Sequence, residues 1–536
     1  MIRFRIEISS VGQYVAMLVA ALLIGGIAAS AAPGGTMRDT EIKGNLVVFR
    51  TESMIAEVEA GRITRLYNRL TGTEYLIAPS GDAPKGFETA LIYVQPGKAA
   101  SDQTPATVGP SPTVKGTDIL EPAPVPIDAL SSPTVTPRDH GAAFVFGDAH
   151  AGLTVEYALD PDTGDLLVTL RGDGTREQLS GIRFGLGPVT CHGDLLLPSF
   201  HGIKASRGDD MAKFESKRWE WPSGWPIPVL VFNDPAGGLW IYTRDIECRY
   251  KAYEYLYEGH GAWRLALDTL NPAPFAVQTQ AQSVTWRINT YRGSWTEPVD
   301  CYARWAYQAY GIPSKAFARP AWVDDLRLVV KRADQVDLKN IESYLDNLSR
   351  YVEPSQTLLH TRPFEAKEPV MPHWQVGQRG ARFNEEARKR GFHTMYFANY
   401  FSITSNHPRF KEFEPYIMRD PYTGEKQGWN LKGEWSAATD IELYYINPAY
   451  KPWRDFQIGE FKALFATHPA DGLFIDQSFV VFNDGNGPID GMSCVDGNLA
   501  FHRELAEALP GAAIGGEGVN EVSFQYESVA EFHILA

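Results

Sequence analysis

The chain has 536 residues, too many for one hydrophobic core, so it is expected to divide into two large domains. Its 44% hydrophobic and 21% charged content is ordinary for a soluble globular protein. A formal net charge of −15 without a basic patch argues against nucleic acid as a partner and leaves room for a neutral polymer.

At the N-terminus, Arg3 and Arg5 precede an apolar run from Tyr14 to Ala28 and the small-x-small triplet Ala29-Ser30-Ala31. These are the parts of an export signal cleaved after Ala31. The run is short for a membrane span and no second candidate follows. A secreted or periplasmic protein with no membrane partner after cleavage is expected, with residues 1–31 as its signal peptide. Export permits disulfides. The cysteines Cys191, Cys248, Cys301 and Cys494 are widely spaced and form no C-x-x-C pair, so buried free thiols or one incidental bridge are expected.

From about Asn45 to Arg292 the pattern is antiparallel. Gly61–Leu76 reads as strand, turn at Thr71-Gly72, strand. Leu153–Leu170 turns at Asp160–Gly164, and Pro228–Tyr242 turns at Asn233–Pro235 and Gly237-Gly238. Val284–Tyr291 reads as a closing strand. Hairpins of this kind predict a large β-supersandwich over residues 40–295. The Pro-, Ser- and Thr-rich stretch Thr104–Pro137 predicts an irregular excursion. Glu297–Tyr310 predicts a helix, stopped by Gly311 and Pro313, within a linker over residues 296–325.

After Pro320 the period changes. Strands are predicted at Leu326–Val330, Thr357–His360, Thr394–Ala398, Leu473–Asp476 and Ala513–Gly516. Helices are predicted at Asn384–Arg390, Trp453–His468 and Asn498–Leu509, with helical spacing from Ile341 to Val352. Five β/α units in residues 326–536 predict part of a (β/α)8-type barrel that continues beyond the sequence in hand. The long segment Phe401–Pro452 after the third strand, with Trp429, Trp435, Asp440 and Asn447, reads equally as a binding lid or a decoration.

Two of these strands end in carboxylates, Asp476 and Glu517. Strand ends of such barrels face one pocket, and paired carboxyls there are what glycoside hydrolysis needs: a nucleophile or base and an acid for the leaving oxygen. Asp476 is expected to stay ionised as nucleophile, and Glu517 to be held protonated near neutral pH. Helix capping or ion pairing is the structural alternative for both. Glu521 is the main rival for the acid role, with Asp440, Asp490 and Asp496 behind it. Arg332, Arg362, Asn399, Tyr400 and Gln477 stand where they could hydrogen-bond a sugar. His373-Trp374 offers a stacking ring, or ordinary loop packing. Scattered single histidines give no metal site, and Asp484–Asp490 reads as a turn. No phosphate- or dinucleotide-binding loop and no G-x-S-x-G elbow appears, so no cofactor is expected.

The signal peptide, a sandwich containing GRITRLYNRLTGTEYL, a helical linker and a barrel with DGLFIDQ together resemble the endo-α-N-acetylgalactosaminidase-like glycoside hydrolases, closest to their poorly characterised secreted bacterial relatives. The resemblance implies a galactose-mutarotase-like sandwich, a retaining mechanism, Asp476 as nucleophile and Glu517 as acid/base, acting on oligo- or polysaccharide with α-linked galactose or N-acetylgalactosamine. α-Amylase-like enzymes share the logic but usually carry an Arg at the position of Phe474. In an α-galactosidase-like pattern the acid lies on a sixth strand, absent from this count, and Glu517 would bind substrate. A catalytically inactive carbohydrate-binding relative, and a barrel lyase or isomerase, remain open.

Overall fold

The computed structural model describes residues 39–76, 87–94, 123–126, 132–147, 151–174, 177–198, 202–206, 218–222, 224–312, 319–363, 370–399, 401–430, 441–478, 481 and 483–531. The expected export signal, and Tyr400, Trp435 and Asp440, lie outside them, as do the side chains of Trp429 and Glu531.

The first half is antiparallel, in sheets of five, ten and six strands. The hairpins fall at the expected turns. Arg62–Asn68 pairs with Thr73–Glu74, Ala151–Leu159 with Leu166–Gly174, and Val229–Asp234 with Gly237–Thr243. Alternate residues such as Leu153, Val155 and Tyr157 are buried in one shared core. The excursion differs from expectation. Ala123–Pro126 pairs with Ala90–Tyr93, and Thr134–Arg138 pairs with Gly141–Gly147, while residues 104–122 lie outside the described ones. Both segments are the outermost strands of their sheets, where a proline costs no ladder hydrogen bond.

Helix α1 (Thr296–Ala309) leads to a six-stranded parallel sheet that curls into a half-barrel. Its strands are β1 (Leu328–Val330), β2 (Thr357–Thr361), β3 (His393–Asn399), β4 (Gly472–Asp476), β5 (Ala513–Glu517) and β6 (Val529–Glu531), in that spatial order. Helices α2 (Ile341–Leu348), α3 (Gln378–Lys389), α4 (Lys451–Thr467) and α5 (Cys494–Ala508) follow β1 to β4. The expectation of five strands is therefore corrected to six. Strand β6 is three residues long, and only a short 3-10 turn, Ser523–Tyr526, separates it from β5. Strand–helix alternation carries no signal for such a connection.

Each strand's odd and even residues go to different layers. Leu359 packs with Leu345 of α2 and Phe383 of α3. Leu473, Ile475 and Ile514 join the core that includes Phe461 of α4 and Leu505 of α5. The opposite face carries Leu358, Met395, Phe397, Phe474 and Ala513. That face, away from the helices, is the concave one. Phe397 and Phe474 stack in it with ring centroids 5.3 Å apart. Two residues further along each strand, in the same alternation, come Asn399 and Asp476.

The segment after β3 folds as a small antiparallel sheet of Ser402–Thr404, Glu442–Tyr445 and Gly428–Asn430. Asp484 ties it to the loop after β4: its carboxylate accepts from Arg419 N (2.9 Å), Asn486 N (3.0 Å) and Asn447 Nδ2 (2.7 Å). The same loop grips the antiparallel half. Ala273 N donates to Asn483 Oδ1 (2.9 Å), and Asn483 Nδ2 donates to the Asn271 carbonyl (2.8 Å).

Candidate active site

The site begins with a backbone kink. Gln477, directly after β4, has φ of +57°, a left-handed conformation that costs a non-glycine residue about 1–2 kcal/mol. The kink aims its N–H sideways along the sheet, where it donates to Glu517 Oε2 at 2.9 Å. The Gln477 side chain is buried and spoken for. Its Oε1 accepts from Asn399 Nδ2 (3.2 Å) and Tyr445 OH (2.8 Å). Asn399 Oδ1 in turn accepts from Ser402 Oγ (2.6 Å). With both lone pairs of its carbonyl used, Gln477 fixes the site from within rather than offering that oxygen to a ligand. The small antiparallel sheet therefore reaches the site through Ser402 and Tyr445, two residues with no distinguishing mark in the sequence.

Asp476 and Glu517 end adjacent parallel strands and act on each other electrostatically. Burial pushes the Asp476 carboxyl well above the usual carboxylate range; Glu517 pushes the same way, against Asn399 and the charge of Lys331. These influences favour the neutral form of Asp476, the opposite direction from the expectation that it stays ionised. Tyr445 feels the same field: burial, Asp476 and Glu517 raise its hydroxyl well above its ordinary value, which keeps it a donor. Lys331, next to the Arg332 singled out in the sequence, is the cation that acts on Asp476. It stands one residue beyond the end of β1.

The other candidates scatter. Arg362 pairs with Asp334, Nε to Oδ2 3.6 Å, near the end of β1. Trp374 is 7% exposed and stacks on Phe461 of α4, centroids 5.5 Å and planes 11° apart. Its ring is core packing, which corrects its place as a stacking platform. The Glu521 carboxylate accepts from Tyr302 OH of α1, at the junction of the two halves. That corrects its place among the substrate-binding residues and as rival acid. Asp496 closes a capping box with Ser493 at the start of α5, and Asp490 is exposed in a loop.

Behind β5, Gly516 faces the helix layer. A Cβ there would lie 2.2 Å from Glu527 Oε2 and 2.5 Å from Ser478 Oγ. Glycine is what lets the buried Glu527 carboxyl sit against the strand. Burial raises that carboxyl well above its usual range.

No protein-family model matches the chain, and a search of curated proteins finds no match. Solved structures are similar in fold. An α-N-acetylgalactosaminidase from Bifidobacterium bifidum, NagBb, in complex with GalNAc aligns with a TM-score of 0.61 at 11% identity, covering 91% of this chain and 78% of that one. Its ligand-free form gives 0.60 at 11% identity, with 91% and 79% covered. An α-galactosidase from Lactobacillus brevis aligns at a TM-score of 0.43 and 11% identity, over 93% and 73%, too loosely to carry weight. At these identities the likeness is one of fold: an antiparallel half followed by a curled parallel one.

Proposed function

We propose that the protein is a secreted retaining glycoside hydrolase of the endo-α-N-acetylgalactosaminidase-like kind, acting on glycans with α-linked galactose or N-acetylgalactosamine. In this reading the half-barrel belongs to a (β/α)8-type barrel, the antiparallel half is a galactose-mutarotase-like supersandwich, and the N-terminal signal exports the chain. The observation that carries it is the carboxyl pair, Asp476 and Glu517, at the ends of adjacent parallel strands, the two groups a glycosidase needs.

In its acid form Glu517 protonates the leaving glycosidic oxygen as the C–O bond breaks. Asp476, ionised, attacks the anomeric carbon and forms a glycosyl ester. Glu517, now a carboxylate, takes a proton from water as that water displaces Asp476. Gln477 N–H keeps Glu517 in place throughout, and Tyr445 and Asn399 keep Gln477.

A second reading exchanges the roles. It is favoured by the raised Asp476 carboxyl, which suits an acid.

The test is hydrolysis of aryl α-N-acetylgalactosaminide and aryl α-galactoside by the full chain and by Asp476→Ala. Turnover by the wild type and its loss in the variant support the reading. Full activity in Asp476→Ala overturns it.

A further inference from the structure

Strands β1 to β4 are each followed by an α-helix that packs behind the sheet, but β5, which carries Glu517, is not. Something else has to hold its end. The segment after it is stitched at every turn. Ser478 Oγ donates to the Gly518 carbonyl (3.0 Å). Asn520 Oδ1 accepts from Val522 N and Ser523 N, both at 2.9 Å. Glu521 N donates to the Pro226 carbonyl of the antiparallel half (3.0 Å). The Glu521 carboxylate, 6% exposed, accepts from Tyr302 OH of α1, itself 4% exposed. Glu521 is thus bound to both neighbours of the half-barrel, four residues beyond Glu517.

We propose that Glu521 is a positioning residue: with Tyr302 and the Pro226 carbonyl it clamps the segment after β5, and this clamp holds Glu517 against Asp476 in place of the missing helix. The claim concerns the same site and rests on the glycosidase reading only for its activity arm.

The clamp is chosen for the neutral acid. The groups facing Glu521 are Tyr302 and Tyr310 from the linker and Lys251, Asp245 and Cys248 from the antiparallel half. Burial is the main influence and moves the carboxyl up to about 8, with Asp245 adding to it and Lys251 and Tyr302 opposing. Lys251 is already committed to Asp245, Nζ to Oδ2 3.1 Å. An exposed Glu521 would lose its proton near 4.5 and the buried one only near about 8, so the closed segment loses stability between those values, through the cost of burying the charge, and levels off above them.

Hydrogen exchange of the full chain tests this without substrate. In Glu521→Ala and Tyr302→Phe, amides of residues 515–522 should exchange at least tenfold faster, while those of β3 stay unchanged. Glu521→Gln should restore protection. After correction for intrinsic rates, wild-type protection of 515–522 should fall between about pH 4.5 and about pH 8 and level off above, and that of Glu521→Gln should not. In hydrolysis, Glu521→Ala should lower kcat at least tenfold with KM within threefold, and the alkaline limb of the kcat profile should move up in Glu521→Gln. Unchanged exchange over 515–522 in both Glu521→Ala and Tyr302→Phe overturns the clamp. A wild type that turns over no glycoside refutes the glycosidase reading alone, and the exchange result still decides the clamp.

Discussion

The backbone N–H of Gln477 donates to Glu517 Oε2 at 2.9 Å, so the residue that follows one carboxylate of the pair orients the other. Asp476 and Glu517 are coupled twice, through their mutual electrostatics and through the kink at Gln477.

The support beneath that kink is testable. Tyr445→Phe and Asn399→Ala each remove one donor from Gln477 Oε1. Each should cost about 1 kcal/mol of stability and lower kcat about tenfold, as a small misplacement of Glu517 would. Because both act on one oxygen, the double variant should lose less than the sum. Urea unfolding and steady-state kinetics on the three variants measure this. Additive losses would show that the two donors do not share Gln477.

Asp476 gives a prediction in pH. Its folded carboxyl holds a proton that the unfolded chain releases above about pH 4. The folded state therefore binds more protons, and stability falls as pH rises from there. Asp476→Asn removes that loss. Its unfolding midpoint at pH 7 should equal or exceed the wild type's, while activity drops about 1,000-fold or more. A variant with the same pH slope as the wild type would contradict the raised Asp476 carboxyl.

Gly516→Ala drives a methyl into the Glu527 carboxyl and Ser478 Oγ. It should destabilise the protein by about 1–3 kcal/mol. Adding Glu527→Ala should recover part of that loss, because it removes one of the two clashing groups. No recovery in thermal unfolding would mean that the strand itself, not the carboxyl, resists the methyl.

Trp374 separates packing from binding. Stacked on Phe461 in the core, it should cost about 3–5 kcal/mol as Trp374→Ala, with KM changed less than twofold at a temperature where the variant is folded. A large rise in KM at unchanged stability would return Trp374 to the sugar pocket.

Much of this fold is legible in the sequence, for local reasons. The Asp471-Gly472 turn and the apolar run to Asp476 mark β4, and the observed strand is Gly472–Asp476. Hairpins with Gly and Asp turns announce themselves in the same way. Strand β6 does not, because three residues after a 3-10 turn carry no periodicity. The carboxyl pair is legible because strand ends of parallel sheets converge. Its protonation is not: that depends on how dry the pocket is and how near Glu517 comes. Ser402, Tyr445 and Lys331 are ordinary in sequence and become part of the site only through long-range contact. Glu521 is the converse: four residues from Glu517 in sequence, yet its carboxylate goes to Tyr302 of α1.

The central claim is that Asp476 and Glu517 form a catalytic pair with Asp476 as nucleophile. The most direct measurement is to inactivate the enzyme with a fluorinated α-galactosyl-type inactivator, which traps the glycosyl ester, and to locate the adduct by peptide mass spectrometry. The account predicts one adduct on Asp476. An adduct on Glu517, or steady turnover of the parent glycoside with no adduct on either residue, would contradict it.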